Sequence, residues 1–411
     1  MTRRGGSVET RYGWIVVFAS LVIHTIALCS PIVLWVALKP IAEEFDWPRS
    51  VPSLAYSTMM IGAAAGGIAM GWWMDKRGVL QPVLFGSVMI GIGSLVASQS
   101  EGRWSLYVAN GVLIGLLGQA ALLTPLIANV THWFDRRRGL AVSIIASAQG
   151  LAGTFGPPLF RYLDESYGWR GTYLIFGVFA LCTMVPLAML LRPKAPVPPP
   201  GPAREGHAVN RRVLDMPANA VQGLLCLATI GCCTAMAIPM VHLVSHGTDL
   251  GLSRADAAEL LTALFAAAFV SRILYGMLAD RIGGMQTLLI GSACQATMLV
   301  VFSIVTSAPA LYVSAMLFGL GFAGIMPCYP LIIRLLFPAS QTGWRVATFY
   351  MFALLGMAFG GWLGGHVFDL TGSYSQAFLA GSGFTVMNFC TIGFLYLRQA
   401  RLGLTPLPAR R

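Results

Sequence analysis

Apolar and polar residues in this chain change over on a scale of about twenty positions, not two or three. Long apolar stretches are separated by short interruptions rich in charge, glycine or proline. Twelve such stretches are marked, at about 12–38, 52–74, 80–98, 104–130, 140–162, 171–192, 219–245, 257–279, 285–307, 309–335, 344–368 and 376–397. A helix rises 1.5 Å per residue, so ~20 apolar residues cross the ~30 Å hydrocarbon core of a bilayer. Helices satisfy their own backbone hydrogen bonds, which is why lipid-exposed chain takes this form. The pattern predicts an all-α membrane protein with twelve transmembrane helices. The first stretch is too long for a signal peptide and lacks a small-residue cleavage site, so it is expected to be retained.

The stretches repeat. Gly71-Trp-Trp-Met-Asp75-Lys76-Arg77-Gly78 closes the second and Gly276-Met-Leu-Ala-Asp280-Arg281-Ile-Gly283 closes the eighth. Gly71 and Gly276, Asp75 and Asp280, and Pro125 and Pro330 all stand 205 positions apart. A duplicated six-helix unit follows, in two pseudo-symmetric halves of the parallel-repeat kind that hold a binding site near the bilayer midplane. The expected division is a six-helix bundle over 1–192, a linker over 193–216 and a second bundle over 217–411. The linker holds the proline run from Pro196 to Pro202 and then Arg204, Arg211 and Arg212. It is expected to be extended and to have no fold of its own. An aspartate beside basic residues at a helix end can pair with neighbouring termini, so Asp75, Arg77, Asp280 and Arg281 are candidate gating residues. A solvated topology signal is the plainer alternative, and the repetition favours the gate.

Composition agrees: 56% of the residues are hydrophobic and 10% charged, with mean hydropathy +0.71, against roughly 25% charged in soluble domains. The net charge of +11 would suit nucleic acid if it formed one patch. Instead most lysines and arginines fall in the loops and tails on the side of the two termini, and acidic residues predominate opposite. That asymmetry is the positive-inside rule, and it places both termini in the cytoplasm of a plasma (inner) membrane. No nucleic-acid partner is expected. The triple arginine at 136–138 reads chiefly as an orientation determinant that can also touch anionic lipid. Eight cysteines lie almost entirely in apolar stretches without metal-ligand or redox spacing, so neither disulfide, metal nor cofactor is expected. No span offers paired carboxylates or a nucleophile with a base, and an enzyme is not expected.

The eighth stretch carries the main chemical signal. Between Glu259 and Asp280 the only charge is Arg272, eight residues and hence ~12 Å from the polar end. An arginine at that depth costs ~2.5–3.5 kcal/mol on insertion scales, so it should face a watery cavity or an anion. The sequence sets no carboxylate deep in any span, and the anion expected is the substrate. Tyr329, Phe349, Tyr350 and Phe352 could wall a cavity for an apolar tail, although core filling is the commoner role of such residues. Tyr329 lies in Met326-Pro327-Cys328-Tyr329-Pro330, where two prolines should break the tenth helix beside a cavity. Gln119 is a candidate substrate contact, with an interhelical hydrogen bond as the plainer reading. His24 and His242 are candidate proton carriers. Packing is the commoner role for a lone histidine such as His24; His242 is also a candidate substrate contact, with reaching water at the nearby helix end as the competing role.

Taken together, the repeat, the two Gly-x-x-x-Asp-basic loops and the proline-rich linker resemble a major facilitator superfamily transporter over essentially the whole chain. Within it, Tyr12-Gly13-Trp14, Trp133-Phe-Asp-Arg-Arg-Arg-Gly139 and Ser271-Arg272-Ile-Leu-Tyr-Gly276 resemble the monocarboxylate transporter and oxalate/formate antiporter families. The resemblance implies that Arg272 binds the substrate carboxylate. Animal members also use a lysine directly after a proline in helix one and an aspartate one turn before the arginine. Here Pro31 is followed by Ile32, and the position four before Arg272 is Ala268. Oxalate exchangers add a lysine in helix eleven, and Thr348 to Gly365 holds none. One buried cation balances one negative charge, and a second would be left desolvated at considerable cost.

The expectation is a secondary transporter of a small monocarboxylate, working by alternating access, proton-coupled and monomeric. The proton could travel on the acid itself, on its complex with Arg272, or through His24 or His242; uncoupled transport stays open too. The alternatives are an efflux pump for lipophilic compounds, a dicarboxylate exchanger, and a non-transporting sensor. A sensor would want a signalling region that the short tails are not expected to house.

Overall fold

The computed structural model describes residues 10–134, 137–193 and 212–403. Its helices follow the apolar stretches: α1 (Arg11–Glu44), α2 (Ser50–Arg77), α3 (Leu80–Ser98), α4 (103–133), α5 and α6 (within 138–189), α7 (Ala218–Asp249), α8 (Arg254–Ile282), α9 (Gly284–Ile304), α10 (Ala308–Leu336), α11 (Ala339–Thr371) and α12 (Tyr374–Arg401). Ten helices among the described residues are long and apolar enough to cross a membrane. One of them, Ile144–Met189, contains both α5 and α6; they meet at Gly168, whose φ of 70° leaves the helical basin at little cost only for glycine. With the 28-residue α2 the described spans number twelve. The first helix outruns its apolar stretch of 12–38: α1 continues to Glu44, which places Lys39 and Glu43 one turn apart on it.

Contacts divide the chain into two compact units, 1–37 with 58–204 and 38–57 with 205–411. In lipid the tails are as apolar as a leucine, so helices associate through close backbone approach and hydrogen bonds. In the first unit this shapes α4, which turns as a π-helix over Val108–Gly118 and a 3₁₀ turn over Gln119–Ala121 before resuming at Leu123. There Gly115 lies against the Met59 backbone of α2, where a Cβ would collide with a carbonyl. In the second unit α7 runs along α11 and α12, α9 along α12, and α8 along α10. Its core gathers Val221, Leu225, Leu288, Ile332, Ile333 and Ile392.

Two further differences concern breaks and linker. The interruption of α10 falls at Ala323–Gly324, just before the prolines. Pro327 sits in the first turn of the resumed helix, where a missing N–H costs little. Within the linker, Arg212–Val213 and Met216–Pro217 pair as a small antiparallel hairpin, with Leu214 and Asp215 at φ 52° and 55°. Arg398 of α12 holds it, donating from Nε to the Leu214 carbonyl at 2.7 Å and from Nη2 to that of Asp215 at 3.1 Å. The proline run and Arg204 lie outside the described residues.

Candidate functional site

Arg272 stands on the buried side of α8. Leu261, Leu264, Phe265 and Ala268 precede it on that side and are buried, while Phe269, Val270, Ile273, Leu274 and Met277 are exposed apolar residues suited to lipid. The side chain is half-buried. Its neighbours set α8 against α10: Ser271 Oγ donates to the Leu320 carbonyl at 2.5 Å, and the Tyr275 ring occupies the space above Gly324 at the α10 break. From α11, Tyr350 comes within electrostatic reach of the Arg272 guanidinium. A positively charged fork, a phenol and an interrupted helix thus share one region of the second unit, a donor set fitted to a carboxylate.

The other expected contacts separate. Tyr350 is 42% exposed and Phe352 half-buried. Tyr329 and Phe349 are both fully buried and stack on each other at 4.8 Å, and Asn388 Nδ2 donates to the Tyr329 hydroxyl at 3.1 Å. As cavity walls these two are a correction: they fill the unit's core because each ring is the other's packing partner. Gln119 Nε2 donates to the Ala27 carbonyl of α1 at 3.4 Å and lies 3.5 Å from the Met59 sulfur of α2, the interhelical arrangement. His24 is buried on α1. His242 does not reach water; it is 0% exposed, with Nε2 at 2.8 Å from the Gly361 carbonyl of α11.

Among the expected gating residues, Arg77, Asp280 and Arg281 are exposed and enter no ion pair among the described residues; the Asp75 side chain lies outside what is described. Ion pairing concentrates at the opposite helix ends, where sequence reasoning marked nothing. Asp249, ending α7, receives Arg49 Nη2 at 2.8 Å, Arg49 Nη1, and Lys39 Nζ at 2.9 Å. Burial works against the Arg49 charge, yet its bonds to Asp249 and Tyr374 outweigh burial and hold its pKa above the ordinary guanidinium range. A second missed residue is Arg345 at the start of α11. It is 2% exposed, bonds to Gln341 Oε1 at 2.8 and 3.0 Å and to Asn219 Oδ1 at 3.3 Å, and lies over the Phe337 ring at 4.0 Å.

Two of the three motifs that carry the family resemblance meet in the first unit. Tyr12 packs on Trp133 at 5.7 Å and Trp14 on Phe134 at 4.9 Å, while the Phe134 ring lies 3.3 Å from where a Cβ on Gly13 would stand. Gly13 is therefore the small residue that lets the helix-one motif seat on the loop motif. Asp135 and Arg136 of that loop are outside the described residues.

Comparison with known proteins agrees with this architecture. Monocarboxylate transporter 13 of Bos taurus is 26% identical over 350 residues, 85% of this chain and 79% of that one. Monocarboxylate transporter 2 of Mus musculus is 26% identical over 400 residues, 92% of this chain and 82% of that one. The MFS-type transporter pynF of Aspergillus niger is 28% identical, and the match covers 64% of this chain and 59% of that protein's length. Among solved structures, a bacterial homologue of the human lysosomal transporter Spinster, inward-facing and unoccupied, superposes with TM-score 0.70 at 14% identity over 97% of both chains. The nucleoside transporter NupG gives 0.72 at 13% identity, over 93% of this chain and all of that one. The family model of the Major Facilitator Superfamily matches residues 14–220 and 223–410, and the chain belongs to that superfamily.

Proposed function

We propose that this transporter moves a small monocarboxylate across the plasma membrane, with both termini cytoplasmic, and that Arg272 holds the acid's carboxylate. The observation that carries the reading is the position of Arg272: a guanidinium on the buried side of a spanning helix, next to a phenol and a helix break, presents a forked donor suited to a carboxylate. Relatives named monocarboxylate transporters support the same substrate class. Tyr350 can donate to a carboxylate oxygen, and Tyr350 and Phe352 offer apolar surface to a tail. A single cation in that region favours one negative charge over two. Transport proceeds by alternating access and carries a proton with the acid.

A thermal-shift panel on the purified protein tests the substrate class. A ligand at 100 times its Kd stabilises the state it binds by about 2.7 kcal/mol. Monocarboxylates are expected to raise Tm in the wild type and not in Arg272→Ala. Stabilisation by lipophilic cations or dicarboxylates in place of simple acids would refute the assignment.

A further inference from the structure

One end of the second unit is where α1 passes into α2, α7 ends, and α11 passes into α12. Two carboxylates there bind two basic side chains and a helix start. Asp249 holds Arg49 and Lys39. Asp369 accepts the backbone N–H groups of Arg49 at 2.8 Å and Ser50 at 2.9 Å, satisfying donors at the start of α2. Arg49 also lies 3.9 Å above the Phe368 ring and donates to the Tyr374 hydroxyl at 3.2 Å. These contacts tie segment 38–57 to α7, α11 and α12 in one polar cluster.

Two histidines lie beneath it on α7, His246 at 4% exposure and His242 at 0%. Both rings meet Tyr374, at 6.1 and 5.0 Å. His242 Nε2 faces the Gly361 carbonyl, which can only accept, so that nitrogen carries the proton and Nδ1 is a bare lone pair. Among the described residues, His242 Nδ1 and His246 Nε2 are both buried without a hydrogen-bond partner. Groups so placed are rare in folded proteins and ask for a reason. Room for the His242 ring is reserved by Gly364, where a Cβ would collide with it.

We propose that His242 and His246 form a proton-binding site whose occupancy opens the latch made by Lys39, Arg49, Asp249 and Asp369. With the latch closed, a further proton on His242 adds an N–H donor and a charge to a dry site near the Arg49 guanidinium. The nearby acceptors are already engaged by other donors. Asp249 is taken by Arg49 and Lys39, Asp369 by two backbone donors, and the Tyr374 hydroxyl by Arg49. Glu43, 4.0 Å from Lys39, is largely exposed. When Arg49 and Asp249 part, the carboxylate becomes available to an imidazolium and water can enter. Protons therefore bind the open state more tightly, and linkage requires that acid favour opening in the same proportion. The device works whatever solute is carried, and it stands or falls separately from the carboxylate reading.

The test is substrate-free hydrogen–deuterium exchange of the full chain in lipid nanodiscs at about pH 5.5 and about pH 8, either side of an ordinary histidine, with labelling times scaled to the intrinsic rate. Peptides covering 43–53 and 366–376 are expected to exchange several-fold faster at the acid pH in wild type. The His242→Gln/His246→Gln variant, whose amide can still donate to Gly361, is expected to lose that difference. Asp249→Asn is expected to exchange fast at both pH values. Equal corrected exchange at the two pH values in wild type overturns the proposal without any variant. A full acid response in the double histidine variant overturns it as well.

Discussion

Two arginines in the second unit show how one residue type serves different ends. Arg345 is enclosed by the neutral acceptors Gln341 and Asn219 and by the Phe337 and Trp344 rings, and it clamps α11 to the start of α7. Removing it strands those acceptors, so Arg345→Ala is expected to cost about 2–3 kcal/mol in thermal unfolding. Arg272→Ala is instead expected to abolish transport. Gly364 gives a third prediction: Gly364→Ala presses on the His242 ring and is expected to lower stability by about 1–3 kcal/mol, whereas Gly343→Ala, which meets open space, is expected to be neutral. Arg272 was legible in the sequence because a lone charge within twenty apolar residues stands out. Arg345 was not, because at a helix end nothing in the sequence separates it from an exposed arginine such as Arg334.

Among the helices, α4 and α10 behave alike. Each is interrupted a few residues before one of the repeat-related prolines, Pro125 and Pro330. The proline pair of α10 announced its break, which falls within a turn of Pro327, whereas the break in α4 was not expected. The π geometry of α4 was hidden, since it depends on Gly111, Gly115 and Gly118 pressing on α2 and α3. The linker hairpin was hidden too, since it rests on Arg398 at the far end of the chain. At the α10 break the Tyr275 ring fills the space that a Gly324 side chain would need. Gly324→Ala is expected to destabilise the protein, and Tyr275→Ala is expected to recover much of that loss in the double variant. A double-mutant cycle on thermal unfolding reads the coupling; additive effects would show that the two residues do not share this space.

For the molecule as a whole, the twelve spans follow from apolar run lengths, and the superfamily resemblance rests on short motifs, the Gly-x-x-x-Asp-basic loop found twice and the proline-rich linker, each legible where it stands in the sequence. The latch could not be read that way. Arg49 and Asp249 lie 200 residues apart and Arg49 and Asp369 lie 320 apart, and no window of sequence connects them. The Gly-x-x-x-Asp loops drew attention to the other helix ends, where Arg77, Asp280 and Arg281 are exposed in this structure. Arg49 and Asp249 are only 14% and 23% exposed, so their pairing is screened less than a surface ion pair. Arg49→Ala and Asp249→Asn are each expected to raise the accessibility of this end to a water-soluble thiol reagent directed at a cysteine placed at position 245. Unchanged labelling would mean that the ion cluster does not hold the end shut.

The most direct measurement of what the protein carries is counterflow of a labelled monocarboxylate into proteoliposomes preloaded with the unlabelled acid. It reports exchange through the protein and needs no imposed gradient. Wild type is expected to accumulate label, Arg272→Lys to do so more slowly because a point charge replaces the fork, and Arg272→Ala to stay at the level of empty liposomes. Accumulation by Arg272→Ala equal to wild type would contradict the assignment of that arginine to the substrate.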